Sequence, residues 1–430
     1  MKKSVKIIFT LLASAVLFGL VTVIVVPWAV DPNHFKAEIE TRVRQNTGRV
    51  LHIDGDLELS LFPWLGLSTG KMRLSNAQGF GNEPFAVINH GQIKIKLWTL
   101  LSQHQLEISE IIIQQLQLNL IENPEGLTNW SDLLALMQNS PQTNNPLKLL
   151  EIANFRIDQA EINYQQQKTA DIIQLSKLNL QINRLRFNQW LPIKLHFHFS
   201  QPTKQFNQTV DLDSQLRLNE TADQIEFKSL KLNTYIDYSA LSPHRLQFTI
   251  LSGVKLDLKH HQFELPNLQF RQQQFQLSAQ LKGLLFAPFN IRAHIHLFNF
   301  DFAHWLYAQF AIQLPKMADE NALKWLNTDF QLLANQDQAQ IQALNMQLDE
   351  TSIQGKIQLT HWQSPELRFE LALDKLNIDR YLPPTSEENQ PQAKVNNSEP
   401  LYSMDKLKQL NVTGQIHIED FKIHNLTMQG

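Results

Sequence analysis

From Leu57 to Ile418 apolar side chains return at every second residue, and no other feature of this 430-residue chain restricts its fold as strongly. Leu57, Leu59 and Leu61 alternate with polar neighbours, as do Ile93, Ile95 and Leu97, and later Leu195, Phe197 and Phe199 or Leu367, Phe369, Leu371 and Leu373. Successive side chains of a strand point to opposite faces, so each run reads as a strand with one apolar and one polar side. The pattern recurs often enough for roughly fifteen to twenty strands. Only 18% of residues are charged and 14 are glycine, and Asn and Gln supply much of the polarity, a balance that suits strands better than solvated helices.

A sheet with one apolar face must cover it, usually with helices or a second sheet. Helical patterns are scarce. Asn33 to Gln45 carries Phe35, Ile39 and Val43 on one stripe and is closed by Asn46-Thr47-Gly48; Asn129 to Gln138, Phe302 to Leu314 and Asn321 to Leu326 complete the set. The sheet therefore covers itself, as a sandwich or closed barrel, or stays open and is covered by an apolar ligand. Alternation alone does not separate these readings.

Residues Ile7 to Val30 contain no charge and exceed the ~20 residues that cross a bilayer. Lys2, Lys3 and Lys6 precede them and mixed charges follow, which places the N-terminus in the cytoplasm and the rest of the chain outside it. A cleaved signal peptide is the alternative; against it, the run is longer than a typical signal core and no small-x-small site follows. The Pro- and Asn-rich stretches Gln138 to Pro146 and Pro383 to Pro400 read as loop or linker.

Several chemistries are set aside. With 38 basic and 41 acidic residues the chain has no basic field for nucleic acid. The absence of cysteine removes disulfides, thiol catalysis and Cys-ligated metals. No G-x-S-x-G, P-loop, G-x-G-x-x-G or H-E-x-x-H motif occurs, so no enzyme activity and no cofactor are expected. His196/His198 and His294/His296 each share one strand face but alternate with apolar residues, which makes them polar-face histidines, and no metal is expected there. Asp54, Asp56 and Glu58 share a face without the further ligands a calcium site needs.

The residues also carry a family resemblance. DPNHFKAEIE (31–40), TGRVLHIDGDLELSLFPWLGLSTG (47–70), MRLSNAQGFGNEPFA (72–86), KLWTLLSQHQLEISEI (96–111) and NPEGLTNWSDLL (123–134) follow in the order and spacing of the AsmA family of bacterial envelope proteins, and LALDKLNIDRYLPP (371–384) resembles the family's motif before its variable linker. Read physically, these segments supply caps, turns and aromatic anchors, and none is a reaction centre. The resemblance implies a periplasmic β-groove protein similar to bridge-like lipid-transfer proteins, concerned with outer-membrane lipid homeostasis and assembly. It also implies a β-region running past Gly430.

The expectation is thus a mainly β chain: residues 1–6 cytoplasmic, a transmembrane helix over 7–30, an elongated, curled antiparallel sheet forming an apolar groove over 31–382, a disordered linker over 383–400, and the start of a further β-region over 401–430. Its expected partners are the inner membrane, phospholipid and envelope proteins. Leu57, Leu59, Leu61, Ile93, Ile95 and Leu97 are the expected groove lining near the anchor. The rival reading is a non-enzymatic periplasmic scaffold that keeps a dry, self-covered sheet and uses strand edges to bind other envelope proteins, affecting outer-membrane protein targeting.

Overall fold

The structure, a computed structural model, describes residues 31–60, 64–96, 99, 107–139, 151–272, 275–286, 288–310, 313–362, 364–384 and 411–429. The expected transmembrane helix, Leu61, Leu97 and most of both linkers lie outside them; among the described residues no helix is long and apolar enough to cross a membrane. Two compact units divide between Lys204 and Gln205.

The first unit opens on a 3-10 turn, Pro32–Phe35, leading into α1 (Lys36–Thr47). Asp31 caps the turn, and Gly48, at φ 72°, ends the helix in the left-handed conformation that glycine adopts without strain. Ile39 and Val43 are half-buried as their stripe requires, whereas Phe35 is exposed. β1 (Leu51–Ile53) and β2 (Leu57–Ser60) run against β4 (Met72–Leu74) and β3 (Leu65–Thr69) respectively. The two pairs are one hairpin kinked in the middle, where Gly55 and Gly70 meet: a Cβ on Gly55 would lie 2.4 Å from Lys71 N and 2.5 Å from Gly70 Cα. The kink repeats in the next strands, between β5 (Ala86–Ile88) and β6 (His90–Ile95) and between β7 (Glu107–Gln114) and β8 (Gln117–Glu122). Two ladders result, β2-β3-β6-β7 and β1-β4-β5-β8. Both join β9 (Glu151–Gln166), which is long enough to pair with β7 along its first half and β8 along its second. Antiparallel β10 (Asp171–Leu185) and β11 (Leu191–Gln201) complete the unit.

The second unit is a meander: β12 (Phe206–Leu218), β13 (Gln224–Tyr238), β14 (Leu246–Asp257), β15 (Gln262–Gln272), β16 (Phe275–Leu284), β17 (Asn290–Phe300), β18 (Leu326–Asn335), β19 (Gln338–Leu348), β20 (Thr351–Thr360) and β21 (Glu366–Asn377). Each pairs antiparallel with the next. β22 (Asn411–Ile423) then adds to β21 and β23 (Leu426–Gln429) to β22. No described pairing joins β12 to the far end, so this ladder is not closed.

Three expectations need correction. The sheet is mixed, because β9 lies parallel to β7 and β8, and β22 parallel to β21. A parallel return needs a long crossover; here the connections run through 123–150, which holds α2 (Ser131–Asn139), and through 378–410. Asn321 to Leu326 is not a helix: Leu323 sits at φ 61°, its N–H is held by Asp349 Oδ2 at 2.8 Å, and β18 starts at Leu326. There are 23 strands among the described residues, more than the pattern suggests, because each kink splits one alternating run into two short strands.

Bulges recur along the ladder. Gln115, Gln159, Lys177, Ser229 and Ala343 all have φ between 49° and 54°. Register shifts accompany the bulges in β9/β10, β13/β14 and β19/β20. A bulge bends its strand and increases the local twist, so this succession curls a sheet that regular pairing would leave flatter. The Gly55 contact makes the first kink testable. Gly55→Ala should lower the chemical-denaturation midpoint, followed by circular dichroism, by an amount equivalent to roughly 1–3 kcal/mol; an unchanged midpoint would show that the kink tolerates a side chain.

Candidate functional site: an uncovered apolar face

Residues directly opposite in a ladder share a face, so the register shows how far the apolar side extends. In the second unit one row passes from Leu218 through Ile225, Leu256, Phe263, Gly283 and Ile291. It continues through Ala334, Ala339 and Leu359 to Leu367. None of these ten residues is buried; all are partly exposed. A second row, from Leu212 through Leu232, Ile250, Phe270, Leu277, Leu297 and the polar Thr328 to Met346, Ile353 and Leu373, has only Leu297 and Leu373 buried. In a sandwich such positions would form the dry core. Here the largest side chains with less than 2% exposure are Leu191, Asn129 and Thr234, and two of those three are polar.

One margin of the face is walled. α3 (Phe302–Phe310) follows β17 and brings Trp305 against Phe300, with ring centres 5.4 Å apart; Phe275 packs on Phe300 at 4.9 Å, and Phe248 on Phe270 at 5.0 Å. Trp305 Nε1 donates to Gln272 Oε1 at 3.3 Å. This aromatic cluster covers Phe300 and leaves the Leu218–Leu367 row open.

The first unit also carries apolar rows, though Ile108 and Ile193 within them are buried. Leu59, Leu67, Ile93, Ile111, Phe155, Ile182 and Ile193 form one row, and Leu65, Ile95, Ile108, Ile152 and Leu185 another. Of the expected lining residues, Leu59 and Ile93 therefore share a row, Ile95 lies in the adjacent one, and all three are half-buried. Leu57 is 5% exposed, with the Asn33 side chain bonded to both its N–H and its carbonyl. That places it beneath the N-terminal turn.

Two cavities are mixed or polar in lining. One of about 590 Å³ is lined by the polar-face residues Lys255, Glu264, Lys282 and Arg292 and also by Leu256, Phe263 and Gly283 of the open row. Another, of about 460 Å³, is lined by Gln115, Gln159, Lys177 and His196 along the bulges. Asp54 and Asp56 are paired with Arg73 and Lys36, and the Arg73 hydrogen bond holds the Asp54 carboxyl below its ordinary range.

The motif segments 47–70, 72–86 and 123–134 converge at the end of α1. Arg49 is 2% exposed. Its Nε and Nη2 donate to Asp132 at 3.0 and 2.5 Å, Nη2 also reaches the Asn129 carbonyl, and the guanidinium stacks 4.6 Å over Phe85. Asn129, with no exposed surface, donates to Asn76 Oδ1 and the Asn119 carbonyl, each at 2.8 Å, and accepts from Ile121 N–H. This polar knot fastens α1, the 76–81 loop, β8 and α2 together. The 371–384 segment acts similarly in the second unit. Asp374 accepts from Ser352 N–H, Asp379 from His424 and Asn425 N–H, and Arg380 pairs with Asp319 at 2.7 Å. Tyr381 donates to Asp349, and burial followed by that carboxylate pushes its hydroxyl up to about 12. Sequence reading identified these segments as structural, but contacts between them such as those of Asn129 with Asn76 and Arg49 with Asp132, 53 and 83 residues apart, became visible only once the strands were paired.

A family model for the AsmA family matches residues 1–417. No curated protein and no solved structure matches the chain.

Arg49→Ala should destabilise the first unit by roughly 2–4 kcal/mol, since it leaves a buried carbonyl unmet and a void over Phe85, and Arg49→Lys should recover little of the loss because lysine lacks the forked geometry. The Arg49 hydrogen bond lowers the Asp132 carboxyl below its ordinary value. Its contribution is therefore complete above the unfolded value, near pH 4, and is lost as pH falls through the lower folded value. Because the Asp132 side chain is 42% exposed, the effect is small. The difference in denaturation midpoint between wild type and Asp132→Asn should be full at pH 7 and shrink steadily as pH falls below about 4; a gap of constant size across that fall would contradict this.

Proposed function

The chain belongs to the AsmA family, and on that premise we propose that it binds phospholipid acyl chains along the apolar face of its sheet and helps move them within the cell envelope. Family membership and an extended, unclosed β-sheet fit a lipid-binding or lipid-transfer role in the envelope. The observation that carries the reading is the Leu218–Leu367 row, ten apolar or glycine positions across ten strands without one buried member.

Full burial of a Leu, Ile or Phe side chain is worth roughly 1.5–3 kcal/mol. Half-buried side chains forgo part of that gain, and an acyl tail laid along the row restores it while replacing the contacts the tail leaves in the bilayer. Polar head groups stay in water at the strand ends. In this proposal the apolar run over residues 7–30 holds the protein in the inner membrane, the sheet lies in the periplasm, and lipid reaches it from that membrane. The scaffold alternative requires a sheet that covers its own apolar side, and the open rows speak against that form of it.

A photoreactive residue at Ile291, on the row, should yield phospholipid adducts in cells, and one at the adjoining Arg292, on the opposite face, should not. Protein adducts at both sites with lipid at neither would overturn the proposal in favour of the scaffold.

A further inference from the structure

On the polar face of the second unit, remote in function from the apolar rows, three metal-ligating side chains converge. His294 and His296 project from one side of β17, and Asp329 stands opposite His296 on β18. His294 Nε2 is 3.0 Å from Asp329 Oδ2, His296 Nδ1 is also in contact with Oδ2, and the imidazole centres are 4.4 Å apart. One ligand atom from each residue lies within 4.8 Å of the others. Among the described residues this is the only group of three or more histidine and carboxylate ligands so placed.

Asp329 Oδ2 is sealed from solvent and contacts both rings as an ion pair without hydrogen-bond geometry, while Oδ1 lies 3.2 Å from His294 Nε2. A buried carboxylate oxygen without a well-aligned donor is costly, and a cation shared with the two imidazoles would satisfy all three groups at once. Ligand atoms bound at ~2.0–2.1 Å around a tetrahedral zinc ion stand about 3.3 Å apart, close to the 3.0 Å His294–Asp329 spacing, whereas His296 and Asp329 stand closer than that and would part slightly to admit the ion. The His296 ring is further oriented by stacking on Phe298, with an interplanar angle of 4°. The three side chains are 36–40% exposed, so an ion can enter from water. A cavity of about 330 Å³ lined by His296, Asp329, Asn345 and Gln354 adjoins the group and leaves room for the water that completes such a site.

The geometry points to a binding site for a divalent first-row transition ion, zinc foremost, held by His294, His296 and Asp329. Two imidazoles and one carboxylate suit zinc, iron and nickel better than magnesium or calcium, which prefer all-oxygen shells. The ion joins β17 to β18 beside the register shift between Leu297 and Phe300, and acts as a cross-strand staple.

The test uses tag-free, full-length protein in detergent, stripped with a chelator and titrated with Zn²⁺ against a chromophoric competitor, then with Co²⁺ by absorption spectroscopy. The expected result is one saturable ion per chain and a cobalt spectrum characteristic of nitrogen ligation. Mutation of groups that merely orient metal ligands typically costs 10–100-fold in affinity, so Asp329→Asn and His296→Ala should each weaken binding by at least roughly tenfold. Circular dichroism checks that both variants keep their fold, and His196→Gln, on the other H-x-H pair, should bind as wild type does. An aqua-like cobalt spectrum, affinity unchanged in Asp329→Asn, or loss of the ion in His196→Gln would overturn the assignment.

Discussion

Among the described residues, the sheet carries more apolar surface than the helices cover. Three short helices serve 23 strands among the described residues, and one of those helices, Phe302–Phe310, walls only a margin of the face beside Phe275 and Phe300. Everything else follows from that shortage. Where no described element packs on the face, many Leu, Ile and Phe side chains stay half-buried, and the backbone ladder carries much of the cohesion. Register is strongly specified where one face must stay apolar, since a one-residue slip would turn every leucine toward the polar side. The bulges preserve this separation while bending the strands.

A structure with so little dry core needs other fastenings, and the polar knots supply them. Arg49 and Asn129 are among the most buried side chains of the first unit, and they tie α2 and the loop after β4 to the β1-β4-β5-β8 ladder. Arg380, Tyr381, Asp374 and Asp379 do the same around β20 to β22. The segments that carry the family resemblance are thus the ones that lock the ladder at defined points. The apolar rows between them need only keep their alternation. This explains why the sequence is distinctive at Asp31–Leu134 and Leu371–Pro384 and only patterned elsewhere.

Much of this was legible beforehand. The two-residue period located the strands, Asn46-Thr47-Gly48 located the end of the first helix, and the motif segments pointed to the family whose model matches residues 1–417. What stayed hidden depends on pairing between strands. Alternation cannot show that β9 turns parallel to β7 and β8, because parallel and antiparallel strands share the same period. The helical look of Asn321 to Leu326 gave way to a left-handed Leu323 whose N–H is held by Asp349, 26 residues away. His294 and His296 read as solvated strand histidines until β18 set Asp329 beside them. The division at Lys204 falls in a short Pro202–Lys204 turn with none of the length or composition of a linker.

The central claim is that the apolar face is open and takes hydrocarbon. Native mass spectrometry of the full-length protein released from mild detergent tests it most directly. The account predicts bound phospholipid on the wild-type chain, displaced when Leu256 and Leu359 on the open row are changed to aspartate and retained when the polar-face Gln340 is changed in the same way. A wild-type chain that flies free of lipid under conditions preserving its fold would contradict it.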